Sequence, residues 1–286
     1  MPIEFDFPLA QEITRNVDVA LSEDIGAGDL TASLIPGERQ VRATVISRES
    51  GVLCGTAWFD ECVVRLDPCA RIIWHAADGE HISPDQLLCE IAANGRALLS
   101  AERSALNFLQ LLSGVASKAR TYANEIASTT AQVVDTRKTL PGLRIAQKFA
   151  VRCGGGNHRL ALWDAILIKE NHIHAAGGIT EALAAARLVA AAAAERCKFI
   201  QIEVESLAEL ETALAAGATM ILLDNFTLAM MREATRINAR RAILEASGNV
   251  SLETIRGIAE TGVDRISVGA LTKDVKALDL SMRFVG

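Results

Sequence analysis

Beyond Thr129 the chain repeats a single unit, a short aliphatic run followed by an alanine-rich amphipathic stretch, and this alternation limits the fold more than any other feature. The runs QVVDT, AILIK, FIQIEV, MILLD, AILEAS and RISVG have the length and aliphatic character of buried parallel strands. Amphipathic helices are predicted between most of them, at 179–196, 206–216, 228–238 and 252–260. Strand–helix alternation requires parallel pairing through right-handed crossovers. A barrel and an open doubly wound sheet both satisfy it, so periodicity alone leaves that choice open.

The first part of the chain reads differently. Residues 8–22 predict a helix, with Pro8 in its first turn and Ile13, Val17, Ala20 and Leu21 on one face; EDIGAGDLT then breaks it. From 41 to 92 the runs VRATVIS, GVLCG, RIIWH and LLCEIA, separated by Gly, Pro and Asp turn signals, read as β structure within a small α+β domain. A long helix follows over 101–127, where Leu106, Leu109, Leu112 and Ala116 recur at helical steps.

Composition sets outer limits. Hydrophobic residues make up 50% of the 286 and aromatic ones only 4%, so a large core is available and must be aliphatic and alanine-rich. A formal charge of −6 argues against general binding to nucleic acid or anionic membrane, which select net basic surfaces. The six cysteines form no C-x-x-C pair and no zinc-spaced Cys/His block, and are read as reduced core residues. The chain opens without a basic segment leading into an apolar one, and its longest apolar run falls far short of the roughly 20 residues of a membrane span. The expectation is a cytoplasmic protein with neither a membrane nor a nucleic acid as partner.

What closes each strand points to chemistry. Asp135, Lys169, Glu203, Asp224, Ser247 and Gly269 stand at or just past the strands' C-terminal ends, where α/β barrels and open α/β sheets both gather their active sites. Between 137 and 172 lie Arg137, Lys138, Arg144, Lys148, Arg152, Arg159 and Lys169 against only Asp164 and Glu170, a basic island suited to a small polyanion. For Arg144, Lys148 and Arg152, at i, i+4 and i+8, a solvated helix face is an equal reading; Arg137, Lys138, Arg159 and Lys169, in loops or at strand ends, favour anion contact. CGGGNHR serves either as a helix stop or as a loop presenting backbone N–H groups, His158 and Arg159 to an anion. His172 and His174 fit no metal motif, and His174 is read as surface or packing. Glu203 and Asp224 form a carboxylate pair suited to a magnesium–phosphate substrate or ribose hydroxyls, and salt bridges to the basic island are compatible with that role. The tripeptides Ser247-Gly248-Asn249 and Val268-Gly269-Ala270 follow the last two strands, where barrels often hold phosphate on loop amides.

DTRKTLPGLR, NHRLALWDAILIKENH, IEVESL, LLDNF, LEASGNV and ISVGALT, with EDIGAGDLT and ERSALNFLQLLSG earlier, resemble the quinolinate phosphoribosyltransferase family over nearly the whole chain. One departure is that GGG runs directly into NHR. The resemblance implies an α+β N-terminal domain over 1–115, able also to pack the C-terminal tail, and an incomplete, roughly seven-stranded α/β barrel over 116–286. It implies a homodimer with shared active sites, or a higher oligomer, and a reaction between quinolinate and phosphoribosyl pyrophosphate with Mg2+. Lys138, Lys169, Glu203 and Asp224 become the catalytic set. By the same resemblance Arg103 reaches the partner's site, Arg137, His158, Arg159 and Lys169 surround the quinolinate carboxylates, and Thr136 joins the substrate-binding set. Lys138 approaches phosphoribosyl pyrophosphate, Glu203 and Asp224 its ribose and metal, and Ser247, Gly248, Asn249, Val268, Gly269 and Ala270 its 5′-phosphate.

Three other readings stay open on the residues alone. One is a phosphoribosyltransferase with another acceptor, although Arg103, Arg137, Arg159 and Lys169 together suit a dicarboxylate. A second is a Schiff-base aldolase using Lys169. The third is a phosphometabolite-binding regulator without turnover.

Overall fold

The computed structural model describes residues 9–156, 161–193 and 196–285, so His158 and Arg159 lie outside the described residues. Helix α1 (Leu9–Ile25) buries Val17 and Leu21 on one face together with Asn16, whose Oδ1 accepts a 3.0 Å hydrogen bond from Trp58 Nε1. Strand β1 (Gln40–Ser47) and the two-residue β2 (Gly51–Val52) follow. The segment TAWFDECVVRL, read from sequence as part of a β region, is instead helix α2 (Thr56–Leu66). Its buried residues Trp58, Phe59, Cys62 and Val63 repeat at helical rather than strand spacing. Asp78 Oδ1 accepts from the N–H groups of Gly55 and Thr56 at 3.0 and 3.2 Å, supplying from a distant loop the cap that the local sequence lacks. Strands β3 (Arg71–Trp74), β4 (His81–Ile82) and β5 (Leu87–Asn94) then lead into α3 (Gly95–Glu125), which starts a turn and a half before its expected position.

The alternating part runs β6 (Gln132–Val134), α4 (Arg144–Cys153), β7 (Ile166–Ile168), α5 (Glu170–Ala176), α6 (Ile179–Ala193), β8 (Ile200–Val204), α7 (Leu207–Ala215), β9 (Met220–Asp224), α8 (Leu228–Asn238), β10 (Ile243–Ser247), α9 (Leu252–Ala259), β11 (Arg265–Ser267) and α10 (Ala270–Lys273), before β12 (Leu280–Val285) ends the fold. Local chemistry starts these helices: Ser206 Oγ accepts from Glu209 N and Thr227 Oγ1 from Met230 N, while Ser251 and Thr254 form a reciprocal capping box.

Two units result. The first draws its described residues from Met1–Arg120, Thr139–Gly155 and Leu271–Gly286, the second from Thr121–Lys138 and Gly156–Ala270. In the first, an antiparallel sheet has the order β12-β1-β5-β3, so the chain's last strand lies beside its first long one. Trp58 and Phe59 are fully buried there, Trp58 with its ring centroid 5.7 Å from that of Phe149 of α4. Lys148 of α4 is also fully buried, which removes the solvated-face reading at that position. The cysteines do not all belong to the core: Cys54, Cys62, Cys89 and Cys153 are buried, but Cys69 is exposed in a turn and Cys197 is partly exposed.

The second unit holds all six strands expected from the aliphatic runs, in one parallel sheet of order β6-β11-β10-β9-β8-β7. From β7 to β11 the chain steps always to the next neighbour in one direction, and β6 pairs beyond β11 as the ring order of a barrel demands, whereas a doubly wound sheet starts inside and reverses at a switch point. Side chains of β8 and β10, strands that are not neighbours, meet across β9 at 3.0 Å, as an inward-curling sheet requires. The architecture is a partial α/β barrel with six strands among the described residues, against the roughly seven implied by the family resemblance. Among the described residues no single helix is long and apolar enough to cross a membrane.

Candidate active site

Parallel pairing fixes which residues share a face. Glu203 is in register with Leu222 and Leu222 with Glu245, while Asp224 is in register with Ser247. With a side-chain period of two, Glu203, Asp224 and Ser247 therefore point to the same side of the sheet as Gln201, Leu222 and Glu245. This is the inner side, since Gln201 and Glu245 meet across it. Three strand ends thus converge on one mouth.

Lys169, just past β7, donates from Nζ to Glu203 Oε2 at 2.6 Å; the lysine side chain is 52% exposed and the glutamate 11%. A substrate can reach the cation while its carboxylate partner stays sheltered. An ammonium held in an ion pair is a poor Schiff-base nucleophile, which counts against the aldolase reading. The backbone N–H of Lys169 donates to His172 Nδ1 at 3.0 Å, so neutral His172 carries its proton on Nε2 and serves as the cap of α5.

The ends of β9 and β10 interlock. Asn225, with φ 54°, donates from its backbone N to Ser247 O at 3.0 Å and from Nδ2 to Asp224 Oδ2 at 2.8 Å. Gly248 has φ 107°, and a Cβ placed there would stand 2.3 Å from Asn225 Oδ1, so the position requires glycine on two grounds. Asn249, at φ 48°, is left-handed as well. Successive departures of this kind turn backbone N–H groups together into an anion-binding concavity.

On the other side, β6 and β11 bring DTRKT to VGA. From the Cβ position of Gly269, Lys138 Cδ is 3.2 Å, Thr136 Oγ1 3.6 Å and Lys138 Nζ 3.7 Å away. Arg137 and Lys138 are exposed, and Lys138 N donates to Thr136 Oγ1 at 3.1 Å. Val268 is fully buried and its N–H is committed to Val134 O, whereas Gly269 and Ala270 are partly exposed.

Charges of both signs gather at the mouth, with the Lys169 ammonium beside the carboxylate of Glu203. Arg137 and Lys138 flank the β6–β11 side, while Glu203 and Asp224 lie on the β8–β9 side. Acidic crowding there extends to Glu205, whose carboxyl is raised above the usual range first by Glu170, with Glu209, Asp224 and Glu203 adding to it. Glu203 and Asp224 thus lie among further acidic groups, with Glu203 paired to the Lys169 ammonium.

Of the remaining residues expected from sequence, Arg103 belongs to the first unit. There it lines a groove of about 380 Å³ with Arg15, Asp24, Asn107 and Gly142. The glycine run divides its roles: a Cβ at Gly154 would stand 2.4 Å from Ala116 O of α3, and Gly155 has φ 90°. Packing and turn geometry thus account for two of the three glycines. Sequence reading passed over Asn225 and the buried Gln201, Glu245 and Ser267. The signal for these three was a polar residue two positions before each strand-end candidate, inside the strand for Gln201 and Glu245 and at its last residue for Ser267.

A family model described as "Quinolinate phosphoribosyl transferase, N-terminal domain" matches residues 29–113, and its C-terminal counterpart matches residues 115–283. A probable nicotinate-nucleotide pyrophosphorylase [carboxylating] of Bacillus subtilis is 41% identical over 91% of this chain and 89% of its own. The enzyme of that name from Mycobacterium leprae is 40% identical over 97% and 98%. Among solved structures, the nicotinate-nucleotide pyrophosphorylase from Francisella tularensis superposes with a TM-score of 0.92 at 41% identity, covering 98% of each chain. With both domain models matched and relatives aligned over nearly their whole length, the chain belongs to the quinolinate phosphoribosyltransferase family.

Proposed function

We infer that this chain transfers the phosphoribosyl group of phosphoribosyl pyrophosphate to quinolinate and releases the 2-carboxylate as CO2, yielding nicotinate mononucleotide and pyrophosphate for NAD biosynthesis. Family membership across both domains supports the reaction. The observation in this chain that carries it is the half-exposed Lys169 ammonium, held on Glu203 where β7 and β8 end.

Both substrates are anions, so the protein's first task is to offset their repulsion. Arg137, His158, Arg159 and Lys169, with Thr136, hold the two carboxylates and aim the ring nitrogen at the anomeric carbon. A substrate carboxylate competes with Glu203 for Lys169, so quinolinate binding frees Glu203 to face the ribose. Ser247, Gly248, Asn249, Gly269 and Ala270 enclose the 5′-phosphate at the two loops, while Val268, buried and bonded to Val134, backs the second loop without contacting it. As the nitrogen–carbon bond forms and the bond to pyrophosphate breaks, positive charge grows on the ribose, where Glu203 and Asp224 stabilise it. Lys138 takes up charge on the departing pyrophosphate.

The quaternised nitrogen then withdraws electrons from the adjacent carbon. The bond to the 2-carboxylate breaks, CO2 leaves, the electron pair stays on ring carbon 2, and a proton replaces the carboxylate there. Glu203 and Asp224 would hold magnesium together with substrate oxygens, and the ion supplies further charge neutralisation to the pyrophosphate when bound.

Arg103 serves the site of a second copy, which makes the working unit a homodimer or a larger assembly of dimers. The protein acts in the cytoplasm. An assay with magnesium and phosphoribosyl pyrophosphate, offering quinolinate and nicotinate in parallel, tests the reading. Turnover with quinolinate alone is expected, and turnover confined to nicotinate would sink the decarboxylating assignment.

A further inference from the structure

Three side chains that the chemistry above leaves unused meet inside the barrel sheet. Gln201 Nε2 of β8 donates to Glu245 Oε2 of β10 at 3.0 Å, and Ser267 Oγ of β11 donates to Glu245 Oε1. All three are buried, with 3%, 7% and 9% of their surface exposed. A carboxylate in such surroundings persists only when its oxygens are satisfied, so the three residues stand or fall together.

Their placement is systematic. Gln201 lies two residues before Glu203, Glu245 two before Ser247, and Ser267 two before Gly269. With a period of two, Gln201 and Glu245 sit directly beneath Glu203 and Ser247 on the same face of their strands, while Ser267 ends β11 just before the loop of Gly269. β9 separates β8 from β10, so the bond between Gln201 and Glu245 is a cross-link that the backbone ladder does not provide.

We propose that Glu245 is a positioning residue, whose carboxylate ties β8, β10 and β11 beneath the mouth and sets the spacing between Glu203 and the phosphate loops at Ser247 and Gly269. The proposal rests on the roles given to those three residues under the proposed function. β6 and β7, which lead to Arg137, Lys138 and Lys169, lie outside the tie. Its loss therefore acts on the phosphoribosyl side of the site more than on quinolinate.

The test compares two substitutions of similar volume. Glu245→Gln can keep both bonds, its amide oxygen accepting from Gln201 and its NH2 donating to a Ser267 hydroxyl rotated to accept. Glu245→Leu keeps none. In Glu245→Leu the KM for phosphoribosyl pyrophosphate is expected to rise about tenfold, with the KM for quinolinate within about threefold of wild type, while Glu245→Gln stays within about threefold for both. If Glu245→Leu does not fold, Ser267→Ala and Gln201→Leu take its place, each removing one bond, with an expected rise of about threefold for phosphoribosyl pyrophosphate alone.

Three results would overturn the proposal with the wild type fully active: folded bond-breaking variants with both KM values unchanged, both KM values raised in equal measure, or Glu245→Gln as impaired as Glu245→Leu. A wild type that neither turns over quinolinate nor binds phosphoribosyl pyrophosphate in calorimetry would instead remove the proposed function, and this inference with it.

Discussion

Lys169 Nζ sits 2.6 Å from Glu203 Oε2, joining the end of β7 to the end of β8 with an ion pair. Two residues that sequence reading assigned to different substrates thus touch each other. Under the proposed function, substrate binding is an exchange of partners, in which Lys169 trades an internal carboxylate for an external one.

Lys169→Ala should therefore damage quinolinate use specifically. Losing one charge-assisted bond costs about 1.5–3 kcal/mol, or roughly ten- to hundredfold in kcat/KM for quinolinate. Thermal stability should fall only modestly, because the ammonium is half exposed although Glu203 is sheltered. Steady-state kinetics beside a melting curve checks both, and unchanged quinolinate kinetics would remove Lys169 from the site.

Gly248→Ala tests the interlocked loops. At φ 107° an alanine is strained, and its Cβ would press on Asn225 Oδ1. A cost of about 1–3 kcal/mol is expected from the backbone alone. The variant should show a raised KM for phosphoribosyl pyrophosphate with the quinolinate KM nearly unchanged. A fully active Gly248→Ala enzyme would show that this turn does not shape the phosphate site.

The proposed exchange of Arg103 between subunits has its own signature. Arg103→Ala and Arg159→Ala homo-oligomers should each be inactive. Mixed under conditions that exchange subunits, they should regain activity, because a hybrid dimer holds one site with both arginines intact. No recovery after verified exchange would argue that each site is built within one chain.

The six strands and their polar ends were legible because a buried parallel strand is a closed apolar run, and whatever interrupts it marks the end of the sheet. Helix α2 was not legible. Its start depends on Asp78, twenty-two residues beyond Thr56, and its apolar residues followed a run of short β-like segments. The choice of barrel over open sheet came from strand order, which no local pattern encodes. The buried Gln201, Glu245 and Ser267 were visible as letters, but their meeting is a matter of curvature. For Lys148, helical spacing with Arg144 and Arg152 left a solvated outer face and anion contact as equal readings, whereas α4 is packed even at that lysine.

Asp78 also makes stability depend on pH. Burial, with Asp60 as a lesser contributor, pushes its carboxyl up to about 6 from 3.8, against the lowering effect of the Gly55 and Thr56 N–H groups. Between these two values the folded state keeps a proton that the unfolded chain has lost. This group's contribution therefore favours folding most at low pH, declines as pH rises through about 4 to 6, and is level above that. Asp78→Asn keeps an oxygen for the two N–H groups without ionising. Relative to wild type it should gain stability at pH 8, by at most about 3 kcal/mol, and the gain should shrink toward pH 5. Urea titrations at the two pH values decide this, and a difference independent of pH would refute it.

The most direct measurement of the account as a whole follows CO2 from quinolinate labelled in its 2-carboxylate alongside nicotinate mononucleotide in the same reaction. One CO2 per nucleotide, with neither formed unless phosphoribosyl pyrophosphate is present, is the expected result. Labelled CO2 released without nucleotide, or a nucleotide that retains both carboxylates, would contradict it.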